Sequence, residues 1–269
     1  MTPSPSTRTA IRYSSASEAN LLDLYLPDGE GPHPVVLLIH GGGWVGGSRS
    51  SWREVSVSSD LARAGFAVAS IDYRLAPEHR WPAQNDDIRA ALRFLADRAE
   101  ADRLDLSRLA FFGGSAGGHL ALMNAYRNEP GLPVPRAVAA FYAITDLRTR
   151  RETDENGVST GEIKEGSAPR LLGCAREENP DAWREVSPVH HVRPGVPPTF
   201  LAHGLKDTTV NWEQSAELAR ALEEAGVPHE LHLVANAGHT FDLRTYEGTP
   251  LSEAIAPALI GFLHRHLTP

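Results

Sequence analysis

The sequence predicts an α/β protein whose mostly parallel sheet is covered by helices on both faces. Short runs of apolar, strand-forming residues alternate with longer segments in which apolar residues recur at the helical period. Several of the short runs are apolar at every position, as expected for parallel strands buried on both faces. A chain of 269 residues has the size of one such domain. We therefore expect residues 1–269 to form a single domain.

Seven segments have the length and composition of strands: Leu21–Leu26, Val35–His40, Ala67–Ile71, Leu109–Phe112, Ala137–Tyr142, Thr199–His203 and Glu230–Val234. Three segments have an amphipathic helical pattern: Gln84–Glu100, Trp212–Ala225 and Ser252–His266. The polar stretch 146–185 contains several glycines, interrupts the alternation and becomes weakly helical only near Leu171. Loops of this length are usually functional or mobile, so we expect this stretch to be an insertion that forms a short cap or lid.

The composition argues against several classes of function. A formal net charge of -8 offers no basic patch on which nucleic-acid binding could depend. Val35–Ile39, like every other apolar run in the chain, is far shorter than the roughly 20 residues that a membrane helix needs. Residues 1–17 are polar and lack the apolar core of a secretory signal. We therefore expect a cytoplasmic protein with neither a nucleic-acid nor a membrane partner.

The sequence gives no indication of a metal site. Cys174 is the only cysteine, so neither an intrachain disulfide nor a pair of thiol ligands is available. His229 and His232 are three residues apart near a predicted strand, and this spacing puts them on opposite faces. The adjacent His190 and His191 have no second cluster of ligands to join. We expect no bound metal.

A glycine-rich turn joins a predicted buried strand to a helix. The sequence Gly113-Gly114-Ser115-Ala116-Gly117 fits the pattern G-x-S-x-G in this context. A serine on such a turn is strained, and side chains two residues before and after it would clash, so glycine is needed at both positions. The turn exposes the serine Oγ beside the first free amides of the helix, where developing negative charge is stabilised. Ser115 is therefore the candidate nucleophile.

A serine nucleophile needs a base within hydrogen-bond reach and an acid that orients this base. Asp207 follows the predicted strand Thr199–His203, and His239 follows the next predicted strand. The chain order Ser, Asp, His is that of one large class of serine hydrolases. Asp242 lies only three residues beyond His239 and would have to fold back to reach it, whereas Asp207 can approach from the side opposite Ser115. We predict that His239 is the base and Asp207 the acid.

A run of glycines follows the strand Val35–His40, in the sequence His40-Gly41-Gly42-Gly43-Trp44. Glycines let backbone amides approach a substrate oxygen, and this run resembles the HGGG oxyanion loop of esterases. We expect the amides of Gly42, Gly43 and Ala116 to form an oxyanion hole, each donor contributing on the order of 3 kcal/mol. His40 is expected to hold the loop in place.

The same glycines also match the dinucleotide-binding pattern G-x-G-x-x-G, from Gly41 to Gly46, and Asp72 ends the next predicted strand. In a true dinucleotide site the helix starts directly at the glycines, and the backbone approaches a pyrophosphate closely. Here helix formation is delayed until after Ser48–Trp52, and the bulky Trp44 occupies the position of close approach. A nucleotide site is therefore not expected.

Several of these motifs together resemble one known family. The resemblance runs from about residue 20 to the C-terminus, and its motifs are His40–Trp44, Asp72–His79 followed by Trp81-Pro82-Ala83, Gly113–Ala121, and Ser187–Val192 leading to Asp207 and His239. The family is the esterase and lipase group of α/β-hydrolases related to hormone-sensitive lipase, including its short bacterial carboxylesterase-like members. The resemblance implies an α/β-hydrolase fold with an eight-stranded sheet, no cofactor, and hydrolysis of short acyl esters through an acyl-enzyme.

The chain departs from this family in two places. The serine motif begins Gly-Gly-Ser where many relatives of hormone-sensitive lipase have Gly-Asp-Ser, and the N-terminal cap helices of those relatives are largely missing before Ile11. The lid must then come mainly from residues 146–185. Because this stretch is small and polar, we expect a preference for short acyl chains.

Other functions remain open on sequence alone. An arylformamidase-type amide hydrolase resembles this family and uses the same triad behind a His-Gly-Gly loop. A non-catalytic binding module is also known for such folds, although these modules usually lack a member of the triad. A simple ester, an acetylated sugar, a feruloyl ester and a formamide are all candidate substrates, and the sequence does not indicate an oligomeric state.

Overall fold

The computed structural model describes residues 5–241 and 251–268, leaving aside the side chains of residues 251–254. Within these residues the strands are β1 (Ser6–Arg12), β2 (Leu21–Leu26), β3 (His33–Ile39), β4 (Ala67–Ile71), β5 (Leu104–Gly114), β6 (Ala137–Phe141), β7 (Arg151–Thr153), β8 (Ser159–Ile163), β9 (Thr199–Gly204) and β10 (His229–Val234). Eight of them form one sheet in the order β1-β2-β4-β3-β5-β6-β9-β10. The pairs β1–β2 and β2–β4 are antiparallel, and all other neighbours are parallel. The predicted mostly parallel, eight-stranded sheet is confirmed.

Helices cover both faces of this sheet. Those described are α1 (Trp52–Arg63), α2 (Ala83–Asp97), α3 (Ala116–Arg127), α4 (Ala168–Leu172), α5 (Pro180–Glu185), α6 (Glu213–Glu224) and α7 (Leu251–Leu267). Apolar side chains of α2, α3 and α6 share one core with one face of the sheet, and those of α1 and α7 share a second core with the other face. Strand β3 illustrates the division, because Val35 and Leu37 point into the first core while Val36 and Leu38 point into the second.

The edge strand β1 is absent from the seven strands that the sequence predicts. Its residues are mostly exposed, and it pairs only with β2. Ladder hydrogen bonds therefore hold it in place with little apolar burial, so a search for apolar runs does not find it. Its charged residues, such as Arg8 and Arg12, are typical of an edge strand that must not pair with another chain.

The stretch 146–185, which we call the insertion, is more ordered than its sequence indicates. It contains an antiparallel hairpin, formed by β7 and β8, and the short helices α4 and α5. Asp154 closes the hairpin turn by accepting hydrogen bonds from the amides of Asn156 (2.8 Å) and Val158 (2.9 Å). The polar sequence of β7 and β8 gives no apolar periodicity from which the strands could be predicted, and a polar residue, Asp154, stabilises the turn between them. Leu171 and Trp183 of the insertion are fully buried in the main core.

The insertion is attached to the loop that follows β9. Nη2 of Arg150 donates a hydrogen bond to the carbonyl oxygen of Thr209 (2.7 Å). The amide of Arg151 donates one to Oδ1 of Asn211 (2.8 Å). These two hydrogen bonds connect the insertion to the loop after β9.

None of the helices among residues 5–241 and 251–268 combines the length and the hydropathy required to cross a bilayer.

Candidate active site

Ser115 lies in the tight turn between β5 and α3, with backbone angles φ 55° and ψ -123°. Side-chain-bearing residues rarely adopt this conformation, so the surrounding contacts must hold it. A Cβ at Gly113 would lie 2.3 Å from the carbonyl carbon of Gly117, and a Cβ at Gly117 would lie 2.1 Å from the carbonyl oxygen of Ile39. The Ser115 amide donates to the carbonyl of Phe141 (2.9 Å). Both glycines are therefore required by contacts between backbone segments.

The glycine loop after β3 lies beside this turn. Gly42 has φ +115°, and a Cβ there would lie 2.2 Å from the carbonyl oxygen of Gly46; Gly43 has φ +61°. Both residues line the cavity that Ser115 also lines, and among the described residues neither donates its amide to a backbone carbonyl. Ala116 is the first residue of α3, so its amide has no acceptor within the helix. Three amides are thus available to bind an oxygen atom.

His40 holds the start of the glycine loop. Its ring stacks on Tyr73, with centroids 4.2 Å apart and the planes 9° from parallel. Nδ1 lies 2.7 Å from the carbonyl oxygen of Gly41, so this nitrogen carries the proton and donates it. Burial lowers the pKa of His40, which the Gly41 carbonyl opposes only in part. The side chain is therefore neutral and acts as a support.

Asp72 fixes the far end of the glycine loop. Both of its carboxylate oxygens are bonded to Arg49, so it is not free to bind the ribose of a dinucleotide. Its Oδ1 accepts a hydrogen bond from the amide of Arg49 (2.6 Å), and its Oδ2 is paired with Nη1 of Arg49. Nε of Arg49 donates to Oδ1 of Asp23 on β2 (2.9 Å). Two carboxylates from the sheet thus fix one arginine, and with it the position where the glycine loop ends.

His239 and Asp207 are hydrogen-bonded to each other. Nδ1 of His239 lies 2.6 Å from Oδ2 of Asp207, while Oδ1 of Asp207 accepts from the amides of Thr209 (2.8 Å) and Val210 (2.9 Å). The other ring nitrogen, Nε2, is then the one available to a hydroxyl group in the cavity that His239 and Ser115 both line. Asp242, the competing acid considered from sequence, lies outside the described residues.

A second histidine, His203, contacts the same carboxylate, and the sequence analysis did not assign it a function. Its Nε2 lies 3.2 Å from Oδ2 of Asp207 and 2.9 Å from the carbonyl oxygen of Val210. Both partners accept, so Nε2 carries the proton, and Nδ1 accepts from the hydroxyl of Ser215 (2.8 Å). The spacing of four residues between His203 and Asp207, across a strand end, was the available signal.

These contacts determine the ionisation of Asp207, which is completely buried. Burial alone raises the pKa of a carboxyl group, but here the hydrogen bonds from His203 and His239 outweigh it and hold the pKa of Asp207 well below its usual value. Asp207 is therefore a carboxylate at any pH near neutral. It stabilises a positive charge on His239 when that ring takes up a proton.

The cavity above these residues has a volume of about 410 Å³. The glycine loop, Ser115 and His239 line it on the side of the sheet. The insertion contributes Arg150 and Ser167 to its wall, and Tyr142 packs against the ring of His239 with centroids 4.6 Å apart. The cavity is thus lined both by Ser115 and His239 and by residues of the insertion.

Histidine 119, four residues after the serine, serves packing. It is completely buried, and its Nδ1 accepts from the indole of Trp44 (3.2 Å) while Nε2 contacts the carbonyl of Val186 (2.6 Å). Burial lowers its pKa to about 4, so the ring is neutral near pH 7. Among the described residues, no group of three or more His, Cys, Asp and Glu side chains is arranged to hold a metal ion.

A family model described as BD-FAE matches residues 22–222, which include the glycine loop, the serine turn and Asp207. The chain belongs to the BD-FAE family. This BD-FAE family member is 33% identical over 239 residues to the esterase LipC of Mycobacterium tuberculosis, a match that covers 84% of this chain and 57% of LipC. It is 30% identical over 247 residues to an ethyl acetate hydrolase of Pseudomonas putida, with 81% of this chain and 70% of that protein covered.

Solved structures support the same fold. A truncated carbohydrate esterase from gut microbiota superposes with a TM-score of 0.85 over 99% of this chain and 98% of that one, at 24% identity. This match confirms the α/β-hydrolase fold. The family model and the relatives confirm the resemblance to carboxylesterases of the hormone-sensitive lipase type. The BD-FAE family member spans less than two thirds of the length of LipC and of a second esterase of the same organism, LipQ.

The low pKa of Asp207 predicts how its contribution to stability depends on pH. A carboxyl group whose pKa is depressed by folding stabilises the native state above its unfolded pKa, and this stabilisation is lost as the pH falls toward its folded pKa. We expect the difference in unfolding free energy between wild type and Asp207→Asn to shrink by about 1 kcal/mol from about pH 4.5 to about pH 3, measured by urea unfolding. Asp28→Asn, at an exposed site, is the control. A difference that stays constant over this range would contradict the prediction.

Proposed function

We propose that this chain is a serine carboxylic ester hydrolase that acts on short acyl esters through an acyl-enzyme intermediate. The observation that carries the proposal is the hydrogen bond of 2.6 Å between His239 and Asp207, made by a histidine that lines one cavity together with Ser115. Nucleophilic catalysis by a hydroxyl group requires an oriented base that can reach it, and the shared cavity gives His239 access to Ser115. Amides that can receive an oxyanion line the same cavity.

In the proposed first step, Oγ of Ser115 attacks the ester carbonyl while Nε2 of His239 accepts the hydroxyl proton. Asp207 keeps the proton of His239 on Nδ1 and stabilises the imidazolium. The negative charge that forms on the carbonyl oxygen is bound by the amides of Gly42, Gly43 and Ala116. Collapse of this intermediate breaks the ester bond, and His239 returns the proton to the departing alcohol.

In the second step, a water molecule takes the place of the alcohol. His239 removes a proton from the water as it attacks the acyl-enzyme, and the oxyanion is bound by the same amides. Collapse of the second intermediate breaks the bond to Ser115 Oγ, which regains its proton from His239. The products are a carboxylic acid and free enzyme. No cofactor is needed for either step.

The names of the relatives support ester over amide hydrolysis. LipC is named an esterase, and the Pseudomonas putida protein is named an ethyl acetate hydrolase. Nothing in the site favours the arylformamidase alternative, which would use the same residues. We propose in addition that residues 1–269 act as one domain and that the insertion, residues 146–185, is the lid that selects the substrate.

The first prediction from this proposal concerns Ser115. A fluorophosphonate probe should modify wild-type protein at Ser115, because this hydroxyl is both exposed to the cavity and activated by His239. Ser115→Ala should not be labelled and should not hydrolyse p-nitrophenyl acetate. Peptide mapping by mass spectrometry identifies the modified residue. If folded wild-type protein is not labelled, the chain is a binding module rather than an enzyme.

A second prediction tests the assignment of the acid. Asp207→Asn should lower kcat by several orders of magnitude, since loss of the orienting acid costs about 10⁴-fold in a comparable triad. Asp242→Asn should lower kcat much less. Steady-state kinetics on p-nitrophenyl acetate, with circular dichroism to confirm folding, would measure both. If Asp242→Asn is the more damaged variant, the acid is wrongly assigned.

A third prediction concerns the acyl chain. Turnover should be faster on p-nitrophenyl butanoate than on p-nitrophenyl dodecanoate, because the insertion contributes a charged and a hydroxyl side chain, Arg150 and Ser167, to the cavity wall, and such groups disfavour a long alkyl chain packed against them. The measurement is kcat/KM over a series of chain lengths, with Ser115→Ala as the blank. Faster turnover of the dodecanoate would contradict the prediction. A much higher kcat/KM on N-formylkynurenine would instead favour the amide hydrolase.

A further inference from the structure

A buried arginine faces the proposed catalytic cavity from the side of the insertion. Arg150 is only 7% exposed, and it lines the same cavity as Ser115 and His239. An arginine remains charged under all ordinary conditions, and a buried charge is costly unless an opposite charge or several acceptors compensate it. The contacts of Arg150 therefore indicate whether the protein itself provides that compensation.

The protein compensates Arg150 only in part. Its Nη2 donates to the carbonyl oxygen of Thr209 (2.7 Å), but its Nε is buried and has no acceptor. No carboxylate of the described residues forms an ion pair with it. The other arginine that lines the cavity, Arg53, differs in this respect, because it is paired with Glu54 at 2.8 Å. Arg150 thus contributes to the cavity a positive charge that has no ion-pair partner among the described residues.

Asp207 and Glu152 are the acidic groups that interact electrostatically with Arg150. Burial lowers the pKa of Arg150, and the attraction of these two carboxylates does not reverse the effect. Asp207 already accepts hydrogen bonds from two histidines and two amides, and Glu152 is paired with Lys164 at 2.9 Å. Neither carboxylate is therefore the counter-ion of Arg150.

The local backbone makes room for the guanidinium group. Gly166 lies against it, and a Cβ at this position would lie 2.4 Å from Nη1 of Arg150. Gly166 also has φ +56°, a conformation that favours glycine. The neighbouring Ser167 lines the cavity and adds a hydroxyl group to the same part of the wall. The insertion thus presents a cation and a hydroxyl group side by side.

We infer that the site takes esters that carry a carboxylate group, and that Arg150 binds this group. The inference rests on the proposed function, because it names the class of ester that the same site hydrolyses. A substrate carboxylate would accept hydrogen bonds from the guanidinium and supply the missing opposite charge. The overall charge of -8 repels anions, so this preference has to come from a local cation. The carboxylate can stand on the acyl side or on the alcohol side of the ester.

Matched pairs of substrates distinguish a carboxylate on the acyl side of the ester from one on the alcohol side. On the acyl side, monoethyl adipate is compared with ethyl adipamate, and on the alcohol side para-acetoxybenzoate is compared with para-acetoxybenzamide. Within each pair a carboxylate is replaced by an uncharged amide of nearly the same shape. The variants are Arg150→Gln, Arg150→Lys and, as the matched control, Arg151→Gln at the neighbouring arginine, which does not line the cavity. Comparing the ratio of kcat/KM between variants cancels the intrinsic reactivity of each ester.

On at least one side, wild type should prefer the carboxylate by about 10- to 100-fold in kcat/KM, which is the effect of a hydrogen-bonded charge pair. Arg150→Gln should abolish this preference, mainly through a higher KM for the charged ester. Because the preference is a ratio between two esters in the same variant, a loss of activity common to both esters leaves it unchanged. Arg150→Lys should restore part of the preference, and Arg151→Gln should retain it. Thermal unfolding verifies that each variant is folded.

Two outcomes would overturn the inference. One is that wild type hydrolyses the neutral member of both pairs as fast as the charged member, and the other is that the preference survives in folded Arg150→Gln. In both cases p-nitrophenyl acetate is still hydrolysed and Ser115 is still labelled, so the proposed function stands. If wild type hydrolyses none of these esters and Ser115 is not labelled, the proposed function fails and the inference fails with it. The wild-type ratios decide the matter even if Arg150→Gln does not fold.

Discussion

The contact of three backbone segments around Ser115 is the constraint on which the site depends. The end of β3, the end of β5 and the first turn of α3 approach so closely that a Cβ at Gly113 or Gly117 would lie 2.3 Å or 2.1 Å from a neighbouring backbone atom, far inside van der Waals contact. This close packing fixes the distance between Ser115 and the glycine loop that follows β3. A parallel sheet makes such an arrangement possible, because the carboxyl ends of its strands meet at one edge.

The electrostatics of the site follow from burial in the same region. Asp207 is a carboxylate in a place where burial opposes a charge, and it is kept ionised by His203, His239 and two loop amides. This state has a consequence for His239, because the carboxylate fixes the proton on Nδ1 and leaves Nε2 as the acceptor. His203 contacts the same carboxylate through Nε2, and its Nδ1 is hydrogen-bonded to the hydroxyl of Ser215. The two histidines thus contact one carboxylate, but only His239 lines the cavity, while His203 is bonded to Ser215.

The sequence predicts the central sheet well, because buried strands depend on local patterns, and the structure brings the candidate residues Asp207 and His239 into contact and places His239 in one cavity with Ser115. Apolar runs mark buried strands, and a serine between glycines marks a tight turn. The features that escape prediction depend on partners distant in the chain. Strand β1 has a polar sequence and is held by its neighbour, and the hairpin of the insertion is closed by an aspartate. The function inferred for Arg150 requires knowing that its side chain is buried and lacks a carboxylate partner.

The attachment of the insertion to the loop after β9 has a consequence for chimeras in which the insertion is replaced by that of a relative. Arg150 and Arg151 are bonded to Thr209 and Asn211, which lie two and four residues beyond Asp207. A chimera that received only residues 146–185 from a relative would place foreign side chains on the segment that positions its acid. The natural unit of recombination is therefore discontinuous in sequence, joining the insertion to the loop on which it rests. Substitutions in the insertion at these contacts would need compensating changes in that loop.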